Sequence, residues 1–115
     1  MRKTSEAWQG FDGMVHEPAR LVILEALYQQ ELNFSEIREY IINKHGLLLT
    51  DGNLASHLLK LEKARYISAD RHYEGRKPTT RYTISDDGKK AFEEYLNGTS
   101  EVIKMALKLI TKPAQ

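Results

Sequence analysis

Thr50-Asp51-Gly52-Asn53-Leu54-Ala55-Ser56-His57-Leu58-Leu59-Lys60-Leu61-Glu62 decides the fold, because its apolar and polar residues separate with the period of a helix. Leu54, Leu58 and Leu61 stand at i, i+4 and i+7, which makes one stripe on an α-helix. Asn53, Ser56, His57 and Lys60 lie off that stripe. Thr50 or Asp51 suits the N-cap, and the helix is predicted to run to about Ala64. The period then changes. Tyr66 to Tyr73 alternates loosely, Glu74-Gly75-Arg76-Lys77-Pro78 is turn material, and Thr79 to Ile84 is rich in β-branched and aromatic residues. A helix is therefore followed at once by a hairpin with a basic tip.

Working outward, two more helices precede this unit. Pro18 suits a first helical turn, and Leu21, Leu24 and Tyr28 share a stripe expected to face the core as far as about Gln30. Phe34-Ser35-Glu36-Ile37 reads as a second start, with Ser35 as N-cap, Phe34 packing back as a staple, and Ile37, Tyr40 and Ile41 buried. Gly46 is a suitable terminator, and Leu47-Leu48-Leu49 reads as an extended connector. A short amphipathic helix is expected over residues 5–15, carrying Ala7, Trp8, Phe11, Met14 and Val15 behind Ser5. After the hairpin, Ser85-Asp86-Asp87 opens a last helix with Phe92, Leu96, Ile103, Ala106, Leu107 and Ile110 on its apolar side. Asn97-Gly98 is expected to kink it or split it. The class is α+β, mainly α with a small β-hairpin, and the length of 115 residues fits a single domain spanning 1–115.

Net charge is only +1, so its distribution carries more information than its sum. Residues 53–81 hold seven basic and three acidic side chains, net +4, which leaves the rest of the chain at −3. The chain has no cysteine, which excludes disulfides, thiolate catalysis and cysteine metal sites. His16, His45, His57 and His72 show no metal-ligand spacing, and no phosphate loop or nucleophile motif is present. Neither an enzyme, a metal nor a cofactor is expected. No apolar run approaches the ~20 residues of a membrane span, and no signal peptide is visible. The expectation is a cytoplasmic protein.

The stretch from His16 to about Leu96 resembles winged helix-turn-helix transcriptional regulators of the MarR and ArsR group, in particular its small single-domain members. Glu17-Pro18-Ala19-Arg20-Leu21 and Phe34-Ser35-Glu36-Ile37 look like the openings of its first two helices. Residues 49–62 look like its recognition helix, residues 75–85 like its wing, and Asp87-Gly88-Lys89-Lys90-Ala91-Phe92 like the start of its following helix. In much of the group the helix opened by Ser35 runs almost directly into a Gly-Leu-Thr turn. Here Ile42 to Leu48 lengthens that connection, leaving the angle between the second and third helices open.

The resemblance implies a DNA-binding core over about 16–96 and a dimerising C-terminal helix over 97–115. A helix fits the major groove of double-stranded DNA. Thr50, Asn53, Ser56, His57 and Lys60 are then the groove-facing candidates, with Asn53 suited to a bidentate contact with adenine and Lys60 to phosphate. Arg76 and Lys77 on the wing tip, flanked by Arg71 and Arg81, would lie on the backbone or in the minor groove. Trp8, Phe11, Phe92, Leu96, Ile103, Leu107 and Ile110 exceed what one small core can cover, and a homodimer is expected to use them. The group leaves room for a small-molecule effector, which no residue here identifies. The competing reading is a winged-helix protein-interaction module that never touches DNA; the DNA reading requires the basic wing and the polar helix to share a face.

Overall fold

The computed structural model describes residues 12–111. The chain enters through a tight turn, not a helix: the Asp12 carbonyl accepts the Val15 and His16 N–H groups, and its carboxylate accepts the Met14 N–H at 2.8 Å. An aspartate that satisfies the backbone two residues on competes with helix formation. The helix expected over 5–15 is thus absent at 12–15, and its remainder lies outside the described residues.

Helix α1 (Pro18–Gln29) starts with Pro18 in the first turn and the Glu17 carboxylate accepting the Arg20 N–H at 3.0 Å. It is the centre of the core, touching α2, α3, α4 and β3 of the elements below. Ala19, Val22, Ile23, Leu24, Ala26 and Leu27 are all buried. The expected stripe holds only at Leu24. Leu21 is half-buried, and Tyr28 is exposed with its hydroxyl donating to Glu93. A single stripe fits a helix covered on one side, whereas a helix packed by several neighbours buries a wider face.

A two-residue strand β1 (Leu32–Asn33) leads into α2 (Phe34–His45). The N-cap of α2 is Asn33, two residues before the expected Ser35. The Asn33 side chain accepts the Glu36 N–H while the Glu36 carboxylate accepts the Asn33 N–H, both at 2.9 Å. This capping box satisfies two backbone donors, where Ser35 alone satisfies one. Gly46 ends α2 in the left-handed region, φ 63°, and donates to the Ile42 carbonyl at 2.9 Å. Because α2 continues through Ile42 to His45, the connector to the next helix is only Gly46 to Leu49 before the Thr50 cap.

Helix α3 (Asp51–Lys63) buries Leu54, Leu58 and Leu61, as its period dictates. It closes with the Tyr66 N–H bonded to the Leu61 carbonyl and the Arg65 N–H to the Glu62 carbonyl, each at 3.0 Å. That is the Schellman arrangement, and Arg65 takes its left-handed position, φ 65°. Strands β2 (Ile67–Glu74) and β3 (Lys77–Ile84) pair antiparallel from Ile67 opposite Ile84 to Glu74 opposite Lys77. The turn is therefore Gly75-Arg76 alone, and Lys77-Pro78 belong to the strand. Gly75 has φ 66°, as the first central residue of a type II′ hairpin turn requires. β1 joins β3 through Leu32 opposite Tyr82, giving the order β1-β3-β2. The third strand has no sequence signature, since two residues are too few to alternate.

Helix α4 (Asp86–Thr111) is 26 residues long and uninterrupted; the break expected at Asn97-Gly98 is absent. An interior glycine costs a helix only about 1 kcal/mol, and Gly98 is buried against the body beside Tyr95. The Ser85 hydroxyl accepts the Gly88 N–H at 3.0 Å and donates to the Arg65 carbonyl at 2.7 Å. Gly88 is needed for this approach: a Cβ there would lie 2.1 Å from the Tyr66 carbonyl oxygen. From Ser100 onward nearly every residue of α4 is exposed. The radius of gyration, 17.1 Å, reflects this projecting arm, since a compact chain of this length has about 13 Å.

Candidate nucleic-acid interface

Burial of the three leucines fixes the rotation of α3, so Asn53, Ser56 and Lys60 face outward and are exposed, together with Gly52 and Lys63. The Thr50 hydroxyl caps the helix by accepting the Asn53 N–H at 3.0 Å, which leaves its own proton available as a donor. Asp51 pairs with Arg38 of α2 at 2.8 Å and ties the two helices together. His57 differs from the rest of the expected set. Its side chain is only 17% exposed, with Nδ1 accepting from the Arg20 guanidinium at 3.2 Å and lying 4.0 Å from Glu17. Burial holds this imidazole below its ordinary value; Glu17 opposes the shift, and Arg20 and Lys60 add to it. His57 thus sits at the joint between α3 and α1, at the edge of the outward face.

The four basic wing residues do not form one patch. Arg76 and Lys77 sit at the tip and make no ion pair among the described residues. Arg71 shares a sheet face with buried Ile67 and half-buried Ala69, and its guanidinium grips Glu62 of α3 through two hydrogen bonds of 3.0 and 3.1 Å. Arg81 lies on the opposite face, paired in register with Asp70 and 4.0 Å from both Glu31 and Glu36.

Two further side chains belong to this region. Tyr73 is 73% exposed on the same sheet face as Arg71, next to the tip. With capping left to Asn33, Ser35 lines a cleft of about 270 Å3 together with Lys77 and Thr79. From sequence, Tyr73 reads only as a strand residue and Ser35 only as a cap; a bulky aromatic at a strand end is the one available signal.

In the expected dimer set, Trp8 and Phe11 lie outside the described residues. Phe92 is buried in the chain's own core, against Tyr28 with ring centroids 5.5 Å apart and the planes tilted by 43°. Leu96, Ile103, Leu107 and Ile110 are exposed, three of them spaced by seven residues. Met105 and Leu109 are exposed apolar residues of α4 outside that set. Among the described residues, no three His, Asp or Glu side chains gather to hold a metal, and no helix is long and apolar enough to cross a membrane.

Three helices, the third turning a polar face outward beside a basic-tipped hairpin, define a winged helix-turn-helix. The chain belongs to the winged helix DNA-binding domain family, which matches residues 19–103. It is similar to the transcriptional regulator homologue of Pyrococcus horikoshii OT3, with TM-score 0.72 and 25% identity over 90% of this chain and 98% of that one. The YusO protein of Bacillus subtilis gives TM-score 0.70 and 22% identity over 93% of this chain and 72% of that one. PadR of Bacillus subtilis, solved in complex with operator DNA, gives TM-score 0.65 and 23% identity over 70% of this chain; this chain spans only 46% of PadR. None of the curated proteins matches the sequence. The motif resemblance to the MarR and ArsR group therefore resolves to the broader family, with PadR among the structures of the same fold.

Proposed function

We propose that this protein is a sequence-specific, double-stranded DNA-binding transcriptional regulator that acts as a homodimer. One observation carries the reading. Leu54, Leu58 and Leu61 of α3 are locked into the core, so Asn53, Ser56 and Lys60 are turned outward, with Leu59 as the large apolar residue exposed on α3, and the helix is bonded through Glu62 to a hairpin whose tip presents two cations without an ion pair among the described residues. A helix so presented fits the major groove, and a basic loop beside it fits the backbone or minor groove. The family of the chain and the operator complex of PadR support the same reading. On this reading Asn53 and Ser56 read bases, Thr50, Lys60, Arg76 and Lys77 contact phosphates, and the exposed apolar residues of α4 from Leu96 to Ile110 pair with a second copy. The whole chain is one domain, with a DNA-binding core over about 16–96. MarR- and ArsR-type regulators are the subgroup its motifs favour.

The test is selection of bound sequences from a random duplex pool, followed by affinity measurements at matched salt, because salt alone shifts such affinities by orders of magnitude. The expected result is enrichment of an inverted repeat with half-sites about one helical turn apart. A pool that stays random after selection overturns the reading and favours a protein-interaction module.

A further inference from the structure

The basic residue of the wing with the best geometry faces a protein carboxylate. Arg71 projects from the middle of β2, between buried Ile67 at the base and exposed Tyr73 near the tip. Its two terminal nitrogens meet the two carboxylate oxygens of Glu62 at 3.1 and 3.0 Å. Parallel fork-to-fork contacts of this kind fix an angle as well as a distance. Glu62 stands in the last turn of α3, two residues after Lys60 and just before the Schellman turn. The bridge therefore ties the last turn of α3 to the middle of the hairpin. Beyond it, the strands run to the two-residue turn without a further hydrogen bond or ion pair to α3 among the described residues, while on the opposite sheet face Lys77 and Thr79 border the cleft they share with Ser35 at the start of α2.

We propose that Arg71 is a positioning residue and not a phosphate contact: with Glu62 it forms a strut that sets the angle of the wing to α3 and so aims Arg76 and Lys77. This rests on the DNA-binding reading above. The strut has a consequence opposite in sign to plain electrostatics. Glu62 is an acidic residue beside a polyanion site, so its removal ought to strengthen DNA binding through charge alone. If it braces the wing, its removal weakens binding instead.

The test compares wild type, Glu62→Ala, Arg71→Ala, the double variant, and the swapped pair Glu62→Arg with Arg71→Glu on one selected duplex over a salt series. Alanine is a good helix former at position 62, so α3 survives the change. Each single variant is expected to bind roughly three- to fivefold more weakly, the most that one solvent-screened pair can shift. The double variant is expected to bind no worse than either single variant, and the swapped pair to recover. The salt slope for Arg71→Ala is expected to match wild type, whereas Arg76→Ala with Lys77→Ala flattens it by about one unit for each phosphate left without its cation. Tighter or unchanged binding by Glu62→Ala, with a flattened slope for Arg71→Ala, overturns the proposal and makes Arg71 a phosphate contact. The free protein supplies an independent arm. Heteronuclear NOE values at the Gly75 and Arg76 amides are expected to fall in Arg71→Ala and to recover in the swapped pair. Unchanged values in that arm also overturn the strut. Should wild type bind no duplex selectively while these values fall, the strut stands and the DNA-binding reading fails.

Discussion

Asn53 occupies the first turn of α3, on the side that the buried leucines leave open. The helix cannot roll to hide it without exposing Leu54, Leu58 or Leu61. Its amide can both donate and accept, the pattern that adenine presents in the major groove. Asn53→Ala is expected to cost roughly 1–3 kcal/mol on the preferred site and much less on a scrambled duplex. An equal loss on both duplexes would assign Asn53 to phosphate. His57 carries a different expectation, because its environment favours the neutral ring. The unfolded imidazole titrates near 6.5, and the folded one below that. As pH falls the unfolded chain takes up the proton first, so stability is lost from about that value downward and is complete above it. Wild type should therefore lose stability relative to His57→Gln between about pH 7.5 and 5.5, the range where histidine titrates. Urea unfolding at several pH values measures this, and two parallel stability curves would contradict it.

At the scale of elements, the junction after α3 carries the mechanics. The Ser85 N–H and hydroxyl bond the Tyr66 and Arg65 carbonyls, and Gly88 presses on Tyr66 from α4. Gly88→Ala places a methyl group against backbone that cannot yield, and is expected to destabilise by about 1–3 kcal/mol, the range for overpacking. A thermal midpoint equal to wild type would mean that α4 shifts freely. What the sequence made legible here follows from how each element is stabilised. α3 was readable because three leucines at helical spacing meet a core on one side only. α1 was misread in detail because it is surrounded, and surrounded helices bury residues that a single stripe assigns to water. The cap of α2 and strand β1 share Asn33, so neither could be seen without the partner strand β3. Arg71 reads as a DNA contact because composition shows a cation but not the Glu62 carboxylate that faces it. That contact arises from the tertiary packing of β2 on α3, and the strut proposed above rests on it.

The whole molecule is a compact body with a long arm. Leu96, Ile103, Leu107 and Ile110 run along α4 without cover from the rest of the described chain. Ile103→Asp with Leu107→Asp is expected to leave a folded monomer whose affinity for the inverted repeat falls roughly a hundredfold, because two linked half-site contacts become independent. Sedimentation at micromolar concentration checks the first outcome, and a wild type that is already monomeric there removes the basis for the second. The arm has a further consequence. Its outer part, residues 100–111, is exposed on nearly all sides, and a helical extension without tertiary contacts opens locally far more easily than the packed turns it continues from. On the dimer reading, ordering of those last turns and meeting the second copy become one equilibrium. Amide hydrogen exchange over 100–111 would then slow as the protein is concentrated, while exchange in α1 would not change. The abundance of the chain in the cell would set how much of its own arm is folded, and through that how many recognition helices arrive at DNA as pairs.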